Sequence, residues 1–374
     1  MERRRLRSLT LEGLTSIRSA TVQLGGVNVL VGANGAGKSN LVSALAMIGA
    51  IADGRLNLYT LQNGGASALL HKGPESSDEI SVKLSFGDIR YEATLVPTAD
   101  DTLAFSGETL FAPPADSGVP VGITVTGGSR ESALSLVRDG EARSSGEVHA
   151  VADPILELIR GCRVFHFHDT GANSPVKRNG YAADNITLHP DASNLAAVLL
   201  RLRQADPGVY QQIVRNVRMV APFFRDFVLV EQDERVRLRW SQQDNEHVFP
   251  ASALSDGTLR FICLVTLLHL PELPGIVVLD EPELGLHPFA IVHLAEMLYA
   301  SRHRSQIIVA TQSVTLIDQF APEELIVVER REGSSSFDRT DVRNLEAWLE
   351  DYSVGELWQK NLIGGNPRRE RGGT

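Results

Sequence analysis

The segment GANGAGKS, residues 32–39, carries residue types suited to binding phosphate groups. It matches the pattern G-x-x-x-x-G-K-[ST] and lies between the apolar run VNVLVG and the helix-like run KSNLVSALAMI, the context that this pattern requires. In such a loop the backbone N–H groups face the phosphates, Lys38 reaches the terminal phosphates and the Ser39 hydroxyl ligates magnesium. The loop therefore predicts binding of ATP with Mg²⁺, whereas GANGAG does not match the dinucleotide fingerprint G-x-G-x-x-G. The nucleotide-binding residues that we expect are Asn34, Gly35, Ala36, Gly37, Lys38, Ser39 and Asn40.

A second group of polar residues follows the apolar run at residues 276–279. A strand without polar alternation is expected to be buried on both faces, and a buried carboxylate is costly unless its charge is accepted. Asp280 and Glu281 nevertheless come directly after this run, and Glu283 follows two residues later. We interpret Asp280 as a ligand of Mg²⁺ and Glu281 as the base that takes a proton from the water attacking the γ-phosphate. Glu283 is interpreted as a solvated or structural acid.

Two weaker patterns each allow a functional and a structural interpretation. His166 and His168 share one face of a predicted strand, with Asp169 adjacent, which is either a metal site or a set of satisfied polar residues near the nucleotide. The run RVRLRW places three arginines on one strand face, as a DNA-phosphate stripe or as a solvated face paired with the acidic EQDE segment. These arginines are Arg235, Arg237 and Arg239.

Composition restricts the class of protein. The 374 residues have 43% hydrophobic and 22% charged content, which is typical of a globular protein, and no apolar stretch reaches the length of a membrane span. The net charge of −10 argues against coating nucleic acid by charge alone, although a local basic patch stays open. Cys162 and Cys263 are far apart and read as buried free thiols, which fits a reducing cytoplasm. We therefore expect a cytoplasmic protein without membrane contact.

The elements that position these residues follow from hydrophobic periodicity. The first 50 residues predict two alternating strands, an apolar strand and a helix, and residues 58 to about 150 predict a β-rich region. A helix at 152–162, the strand RVFHFH and two helices, NLAAVLLRLRQ and GVYQQIVRNVRMV, come next. In the last third helices and strands alternate, which implies a parallel sheet with helices packed on it. The elements expected there are 256–270, 275–280, 287–302, 306–311, 313–319, 324–329 and 342–362.

Several motifs resemble one group of ATPases. LSDGTLRF at residues 254–261 resembles the signature motif of ABC-type ATPases, and DEPELGLHP resembles the Walker B motif and D-loop of the RecF, SMC and OLD group. The opening LTLEGLTSIRSATVQLGGVNVLVGANGAGKSNLVSAL resembles the same group. With FHDTGANSPVKR, SNLAAVLLRLR, VAPFFRDFVL and YSVGELWQKNLIGG, nearly the whole chain is similar to a compact bacterial family of predicted ATPases, AAA family, of RecF/OLD-like type.

The resemblance implies an α/β fold: an ABC-type P-loop ATPase head with a parallel-sheet core, an antiparallel β subdomain and a small helical insertion. The first expected unit is an N-terminal lobe with Walker A and the β-rich subdomain, followed by the helical and strand insertion. A C-terminal lobe with the signature motif, Walker B and the switch residue, and then a disordered tail, complete the chain. The four ranges are 1–169, 170–250, 251–363 and 364–374.

The resemblance also implies that two copies of the chain bind ATP between them. Ser255, Asp256 and Gly257 of one copy would contact the γ-phosphate held by the other copy, although Ser255 is also a plausible helix cap. His287 is expected to contact the second copy. The switch residue of the group is usually the His of THS, whereas this sequence has Gln312 in ATQS. Gln312 can donate a hydrogen bond to the γ-phosphate but cannot carry charge, so we expect either slow turnover or a switch that is driven by binding.

Three patterns of related proteins are missing from the sequence: a long coiled coil, an acidic Toprim-type D-x-D cluster after Gln312, and an HNH or Cys-rich nuclease signature. We therefore expect an ATP-gated homodimer that acts in DNA metabolism or anti-phage defence through a separate nuclease or toxin, with DNA contact left open. The alternative is the energising subunit of a membrane transporter. A GTPase is disfavoured, because no N-K-x-D guanine motif is present.

Overall fold

The computed structural model describes residues 5–112, 121–132, 161–341 and 345–365, together with residues 156, 159 and 343. Its helices are α1 (Lys38–Ala52), α2 (Leu56–Gln62), α3 (Ala66–Leu69), α4 (Leu195–Ala205), α5 (Pro207–Val220), α6 (Asp256–His269), α7 (Pro288–Ser301), α8 (Val314–Ile317), α9 (Glu346–Leu349) and α10 (Val354–Gln359). Its strands are β1 (Ser8–Leu14), β2 (Ile17–Gln23), β3 (Val27–Val31), β4 (Ile80–Ser85), β5 (Arg90–Pro97), β6 (Leu103–Ala112), β7 (Val121–Thr126), β8 (Cys162–Phe165), β9 (Gly180–Tyr181), β10 (Phe224–Phe227), β11 (Glu231–Gln232), β12 (Arg235–Val236), β13 (Arg239–Gln242), β14 (Val248–Pro250), β15 (Ile276–Asp280), β16 (Gln306–Thr311), β17 (Leu325–Arg331) and β18 (Ser334–Arg339).

A sheet with the strand order β18-β17-β3-β16-β15-β8 forms the core of the molecule. The five strands from β17 to β8 are parallel, and β18 pairs antiparallel with β17. The carboxyl ends of the parallel strands therefore meet at one edge of the sheet, which is where open α/β sheets bind their ligands. The parallel sheet predicted for the last third of the sequence is confirmed, and it also includes β3 and β8 from further upstream.

Alternate residues of this sheet pack into two different hydrophobic cores. Val29 and Val309 lie in the core that contains α4 to α7, whereas Leu30, Val278 and Ile308 lie in the core that contains α1 and the antiparallel sheet described next. Side chains of successive strand residues point to opposite faces, so a strand covered on both sides must be apolar throughout. This explains the unbroken apolar run before Asp280.

An antiparallel sheet in the order β2-β1-β4-β5-β6-β7 packs over α1. The β-rich prediction was wrong at its beginning, since α2 and α3 are helical and the strands resume only at β4. The carboxylate of Glu131 accepts hydrogen bonds from the backbone N–H groups of Leu56 (2.8 Å) and Asn57 (3.0 Å). A distant side chain thus satisfies the free donors at the start of α2. The helix expected at 152–162 lies mostly outside the described residues.

The middle section contains α4, α5 and two small sheets, ordered β10-β13-β14 and β11-β12-β9. The two predicted helices are confirmed, and Asp206 caps α5 through a hydrogen bond from the N–H of Val209 at 3.2 Å. In the arginine stripe Arg235 lies over the ring of Tyr181, 4.3 Å from its centroid. Among the described residues, no ion pair joins the stripe to the EQDE segment.

The chain after β17 differs from the single helix expected at 342–362. It forms the short helices α9 and α10, and the second starts at a capping box in which Ser353 and Glu356 bond each other's backbone N–H groups. Strand β18 was not predicted. Gly365, in the segment expected to be a disordered tail, accepts a hydrogen bond of 2.7 Å from the N–H of Ala33, and residues 366–374 lie outside the described residues.

Burial of both cysteine thiols agrees with the sequence. Cys162 and Cys263 are free and buried, and burial raises the pKa of each thiol to about 12. None of the helices in the described part of the chain has the length and apolar character that a bilayer span requires.

Candidate nucleotide-binding site

The Gly-rich loop connects β3 to α1, and its glycines occupy positions that other residues could not. Gly37 has φ +118°, and a Cβ there would lie 2.1 Å from the Oγ of Ser335. A Cβ on Gly32 would lie 2.3 Å from the carbonyl oxygen of Val328. Real non-bonded contacts of a Cβ are never this short, so both positions require glycine. The motif therefore reflects close approach of the loop to β17 and β18.

A chain of hydrogen bonds supports the loop from the side of β18. Ser335 donates to the carbonyl of Ala36 at 2.7 Å, and its hydroxyl lies 2.6 Å from the hydroxyl of Ser16. The side-chain amide of Asn40 donates to Ser16 at 2.5 Å. Asn40 was predicted to contact nucleotide, but here its amide faces this support. Sequence reasoning missed Ser16 and Ser335, because they lie outside the motif and carry no pattern of their own.

Lys38 lies close to the acids at the carboxyl end of β15. Its side chain is 6% exposed, and its ammonium donates to the carbonyls of Gly32 (2.6 Å) and Ala33 (3.1 Å). Burial lowers the pKa of Lys38, while the charges of three acids oppose that effect. These acids are Glu281, Asp280 and Glu283. The fold thus joins the two sequence motifs at one edge of the sheet, with Ser39 exposed at the start of α1.

Glu281 adopts a strained backbone and is hydrogen-bonded to the switch residue. Its φ is +42°, a region that non-glycine residues rarely occupy and that costs about 1–3 kcal/mol. Its N–H donates to the carbonyl of Ala310 at 2.7 Å, which continues the pairing of β15 with β16 by one residue. The side-chain amide of Gln312 donates to Oε1 of Glu281 at 2.6 Å. The expected base and the expected sensor are therefore direct neighbours.

Glu283 is a structural acid, which resolves the two interpretations left open by the sequence. Burial raises the pKa of its carboxyl group, and the hydroxyl of Thr311 donates to Oε1 of Glu283. The Oγ1 atom of Thr311 also accepts a hydrogen bond from the N–H of Ser313 at 2.9 Å. These contacts fix the backbone on both sides of Gln312.

Asp280, the last residue of β15, has the environment of a cation ligand. Burial raises the pKa of its carboxyl group; the charges of His166, His168 and Lys38 act in the opposite direction, and that of Glu281 adds to the increase. No donor among the described residues forms a hydrogen bond with this carboxylate. A half-buried carboxylate without a hydrogen-bond donor fits a divalent cation, and Asp280 and Ser39 supply the oxygen ligands that Mg²⁺ prefers.

His166 and His168 lie beside Asp280, just after the end of β8. Each of these three side chains offers one ligand atom, and the three atoms lie within 4.8 Å of one another. The structure thus supplies the third member that the sequence pattern lacked, from a strand more than a hundred residues away. Asp169, the acid that the sequence placed beside the histidines, is exposed and accepts a hydrogen bond from the N–H of Gly171.

The signature segment begins α6 and packs on the D-loop. Ser255 caps the helix by accepting a hydrogen bond of 3.2 Å from the N–H of Thr258, and Asp256 is exposed beside it. A Cβ on Gly257 would lie 2.2 Å from the carbonyl oxygen of Gly285, so the two backbones are in contact. In the described part of the chain, no hydrogen bond joins these signature residues to the Gly-rich loop. His287 is exposed and caps α7 through its ring nitrogen.

Arg260 connects the signature helix to the histidine segment, and the sequence interpretation missed it. Its buried guanidinium donates to the carbonyls of Phe167 (2.9 Å) and His168 (3.2 Å). Burial lowers the pKa of this group. A charged residue inside the apolar run LRFICLVTLL was the available signal, because a buried charge needs specific partners.

The fold and this site define an ABC-type P-loop ATPase with the fold of an SMC head. Residues 27–318 match the model of the family described as "AAA domain, putative AbiEii toxin, Type IV TA system", and the chain belongs to that family. No curated protein matches the sequence significantly.

Solved structures show the same fold at low sequence identity. An SMC head bound to the C-terminal winged-helix domain of ScpA is 17% identical, with a TM-score of 0.54 over 92% of this chain and 99% of that one. An SMC head with an extended coiled coil, bound to the C-terminal domain of ScpA derived from Pyrococcus furiosus, is 15% identical, with a TM-score of 0.51 over 93% and 99%. The predicted class, a compact SMC-like ATPase head with parallel and antiparallel sheets, is confirmed.

Proposed function

We propose that this protein binds Mg·ATP at the edge of the parallel sheet and hydrolyses it slowly. The observation that carries the proposal is the convergence of Lys38, Asp280, Glu281 and Gln312 from three separate elements. Phosphate groups need a cation and backbone donors, and hydrolysis needs a base near the γ-phosphate. All of these groups are present at one edge of the sheet.

Each side chain has a separate role in this proposal. Lys38 exchanges its hydrogen bonds to the loop carbonyls for bonds to the terminal phosphates. Ser39 and Asp280 hold Mg²⁺, which when bound neutralises charge on the phosphates. Glu281 accepts the proton of the attacking water. Gln312 orients Glu281 in the free protein and donates to the γ-phosphate once ATP is bound.

The proposal includes a dimer closed by two ATP molecules. The signature residues of one copy would bind the γ-phosphate held by the other, which gives a role to the exposed start of α6, because a helix N-terminus favours phosphate. The neighbouring D-loop surface supports such a contact, since Leu284 is 50% exposed and Phe289 is 53% exposed on either side of His287. A contiguous patch of exposed apolar side chains marks an interaction site, and the proposal places Leu284 and Phe289 in one such patch. Loss of the γ-phosphate removes the bridge and reopens the dimer.

We further propose that opening and closing of the dimer controls a separate effector protein. The description of the family, which refers to a toxin–antitoxin system, favours a toxin or its antitoxin as that partner, and a nuclease is the other candidate. The SMC heads that share the fold were solved with ScpA domains bound, which supports partner docking on such a head. Action in anti-phage defence or DNA metabolism, with or without direct DNA contact, follows from the same proposal.

The binding step is tested by titration calorimetry with ATP and Mg²⁺. Lys38→Ala should weaken ATP binding at least about tenfold, because hydrogen bonds from a charged group contribute about 1.5–3 kcal/mol each. Lys83→Ala, which removes an exposed lysine in β4, is the matched control and should bind as the wild type does. Equal ATP affinity in Lys38→Ala and in the wild type would exclude this site as the nucleotide site.

The partner is tested by affinity capture from the native host. Glu281→Gln loaded with ATP, which should stay closed, is compared with Lys38→Ala, which should not bind ATP. A toxin, antitoxin or nuclease retained by the first variant and lost from the second supports the proposal. Equal retention by both variants contradicts ATP control of that partner.

A further inference from the structure

The three side chains at the ends of β8 and β15 form a potential metal site that differs in chemistry from a magnesium site. The ligand atoms of His166, His168 and Asp280 lie within 4.8 Å of one another. Two atoms that bind one ion at about 2.1 Å each are at most about 4.2 Å apart. Side-chain rotations that move each ligand atom by less than about 1 Å would therefore allow all three atoms to bind one ion.

The fold directs both histidines to the same side. Phe165 and Phe167 are buried in the core, whereas His166 is exposed and His168 is partly exposed at the alternate positions. This alternation continues the period of β8 beyond its last paired residue. Because β8 pairs in parallel with β15, the segment that follows β8 lies beside Asp280, with Leu279 opposite Phe165 in the register.

The backbone of the histidine segment is held in place from two sides. The N–H of His166 donates to the carbonyl of Pro190 at 2.9 Å. On the other side, Arg260 donates to the carbonyls of Phe167 and His168. A metal site depends on outer contacts that orient its ligands, and here such contacts hold the backbone that carries both histidines. The fold therefore fixes the backbone of the histidine segment beside Asp280.

The ligand set favours transition metals. Imidazole nitrogen suits zinc, copper, iron and nickel, whereas magnesium prefers oxygen ligands, and two histidines with one carboxylate is a set that binds divalent ions of the first transition row. Neighbouring Glu281 adds negative charge, which favours any dication. We propose that His166, His168 and Asp280 bind one divalent transition-metal ion of the Mn²⁺, Co²⁺ or Zn²⁺ class in the nucleotide-free protein.

This proposal goes beyond ATP hydrolysis and does not depend on it. Asp280 is also the proposed ligand of the Mg²⁺ that accompanies ATP, so the Mg²⁺ and the transition-metal ion would compete for the same carboxylate. Binding of Mg·ATP would therefore displace the transition-metal ion from Asp280.

The test is titration of tag-free, nucleotide-free protein with Co²⁺, followed by the visible ligand-field absorption of bound cobalt and by calorimetry. Wild-type protein should bind one Co²⁺ with nitrogen-ligand absorption. His166→Ala and His168→Ala should each weaken binding by at least about 10–100-fold, the loss that even an outer-shell change can cause. Because His166 is exposed, its replacement by alanine should leave the unfolding midpoint of the metal-free protein unchanged.

Two controls give the result a single interpretation. His303→Ala removes an exposed histidine distant in sequence from the cluster and should bind Co²⁺ as the wild type does. Lys38→Ala should lose ATP but bind Co²⁺ at least as tightly, because a nearby positive charge is removed. Absence of Co²⁺ binding by the wild type, or Co²⁺ binding by both cluster variants that is as tight as that of the wild type, overturns the metal site. Loss of ATP binding in Lys38→Ala, with Co²⁺ binding retained, is consistent with the metal site.

Discussion

The side-chain amide of Gln312 donates a hydrogen bond of 2.6 Å to Oε1 of Glu281, and this contact joins the carboxyl ends of β15 and β16. The backbone of Glu281 is held at φ +42°, and Thr311 before Gln312 is tied to Glu283. Both side chains are therefore placed by their neighbours before any nucleotide arrives. In the proposed cycle, the amide leaves Glu281 for the γ-phosphate and releases the carboxylate to act on water.

Turnover should depend on Glu281 far more than on Gln312. Removal of a general base lowers the rate about 10²–10⁴-fold, so Glu281→Gln should lose at least that much phosphate release. Gln312→Ala should lose less, because a neutral amide accepts no proton. Single-turnover phosphate release measures both, with Gln319→Ala, an exposed glutamine beyond α8, as the control. Intact hydrolysis in Glu281→Gln, together with none in Gln312→Ala, would reverse the two roles.

The support behind the Gly-rich loop should contribute to stability and to ATP affinity. Ser335→Ala leaves the carbonyl of Ala36 without its donor, which costs about 1–3 kcal/mol of unfolding free energy. ATP affinity should fall as well, because the loop loses its fixed position. The next serine of the strand, Ser336, has a buried hydroxyl with no hydrogen-bond partner in the described structure, so Ser336→Ala should be neutral or stabilising. Urea unfolding and ATP titration that rank the two variants equally would contradict this role.

An ion pair between the end of α1 and β8 should make stability depend on pH. Arg163 donates to both carboxylate oxygens of Asp53, at 2.5 and 3.2 Å. Burial by itself raises the pKa of Asp53, but the hydrogen bonds and charges of Arg163 and Arg55 outweigh it, so the pKa is lowered. The stabilisation is therefore present above the unfolded pKa of about 3.9 and is lost as the pH falls through the folded value.

Arg163→Met should accordingly lose about 1 kcal/mol at pH 7, because the pair is partly exposed, and the loss should shrink towards zero at acidic pH. Urea unfolding at both pH values measures it. Arg55→Met, which removes the more exposed partner of Asp53, is the matched control and should cost less. A difference between Arg163→Met and wild type that stays constant with pH would show that the effect is packing rather than charge.

The sequence predicted the parts of the site that depend on short segments. The Gly-rich loop follows the apolar strand β3, and the acids lie at the carboxyl end of the apolar strand β15. Because parallel strands bring their carboxyl ends together, the proximity of Lys38 to Asp280 and Glu281 was predictable. The alternation of helices and strands in the last third predicted the sheet for the same reason.

Contacts between distant segments could not be predicted in this way. Ser335 and Ser16 support the loop from β18 and the turn before β2, and no spacing rule connects them with it. The free N–H groups at the start of helix α2 are satisfied by Glu131, far along the chain, and this contact leaves no signal in the helix's own sequence. The histidine pair was visible, but its third ligand, Asp280, became apparent only from the pairing of β8 with β15.

The most direct test of the ATP-bridged dimer is the mass of Glu281→Gln in solution, measured by light scattering with and without Mg·ATP. This variant should bind ATP without hydrolysing it, so ATP should shift the mass from one chain to two, since a ligand that binds the dimer more tightly than the single chain stabilises the dimer by mass action. The double variant Glu281→Gln with Ser255→Arg should bind ATP and stay a single chain, because the arginine blocks the exposed start of α6. A mass that does not respond to ATP, together with full ATPase activity of Ser255→Arg alone, would contradict the bridged dimer.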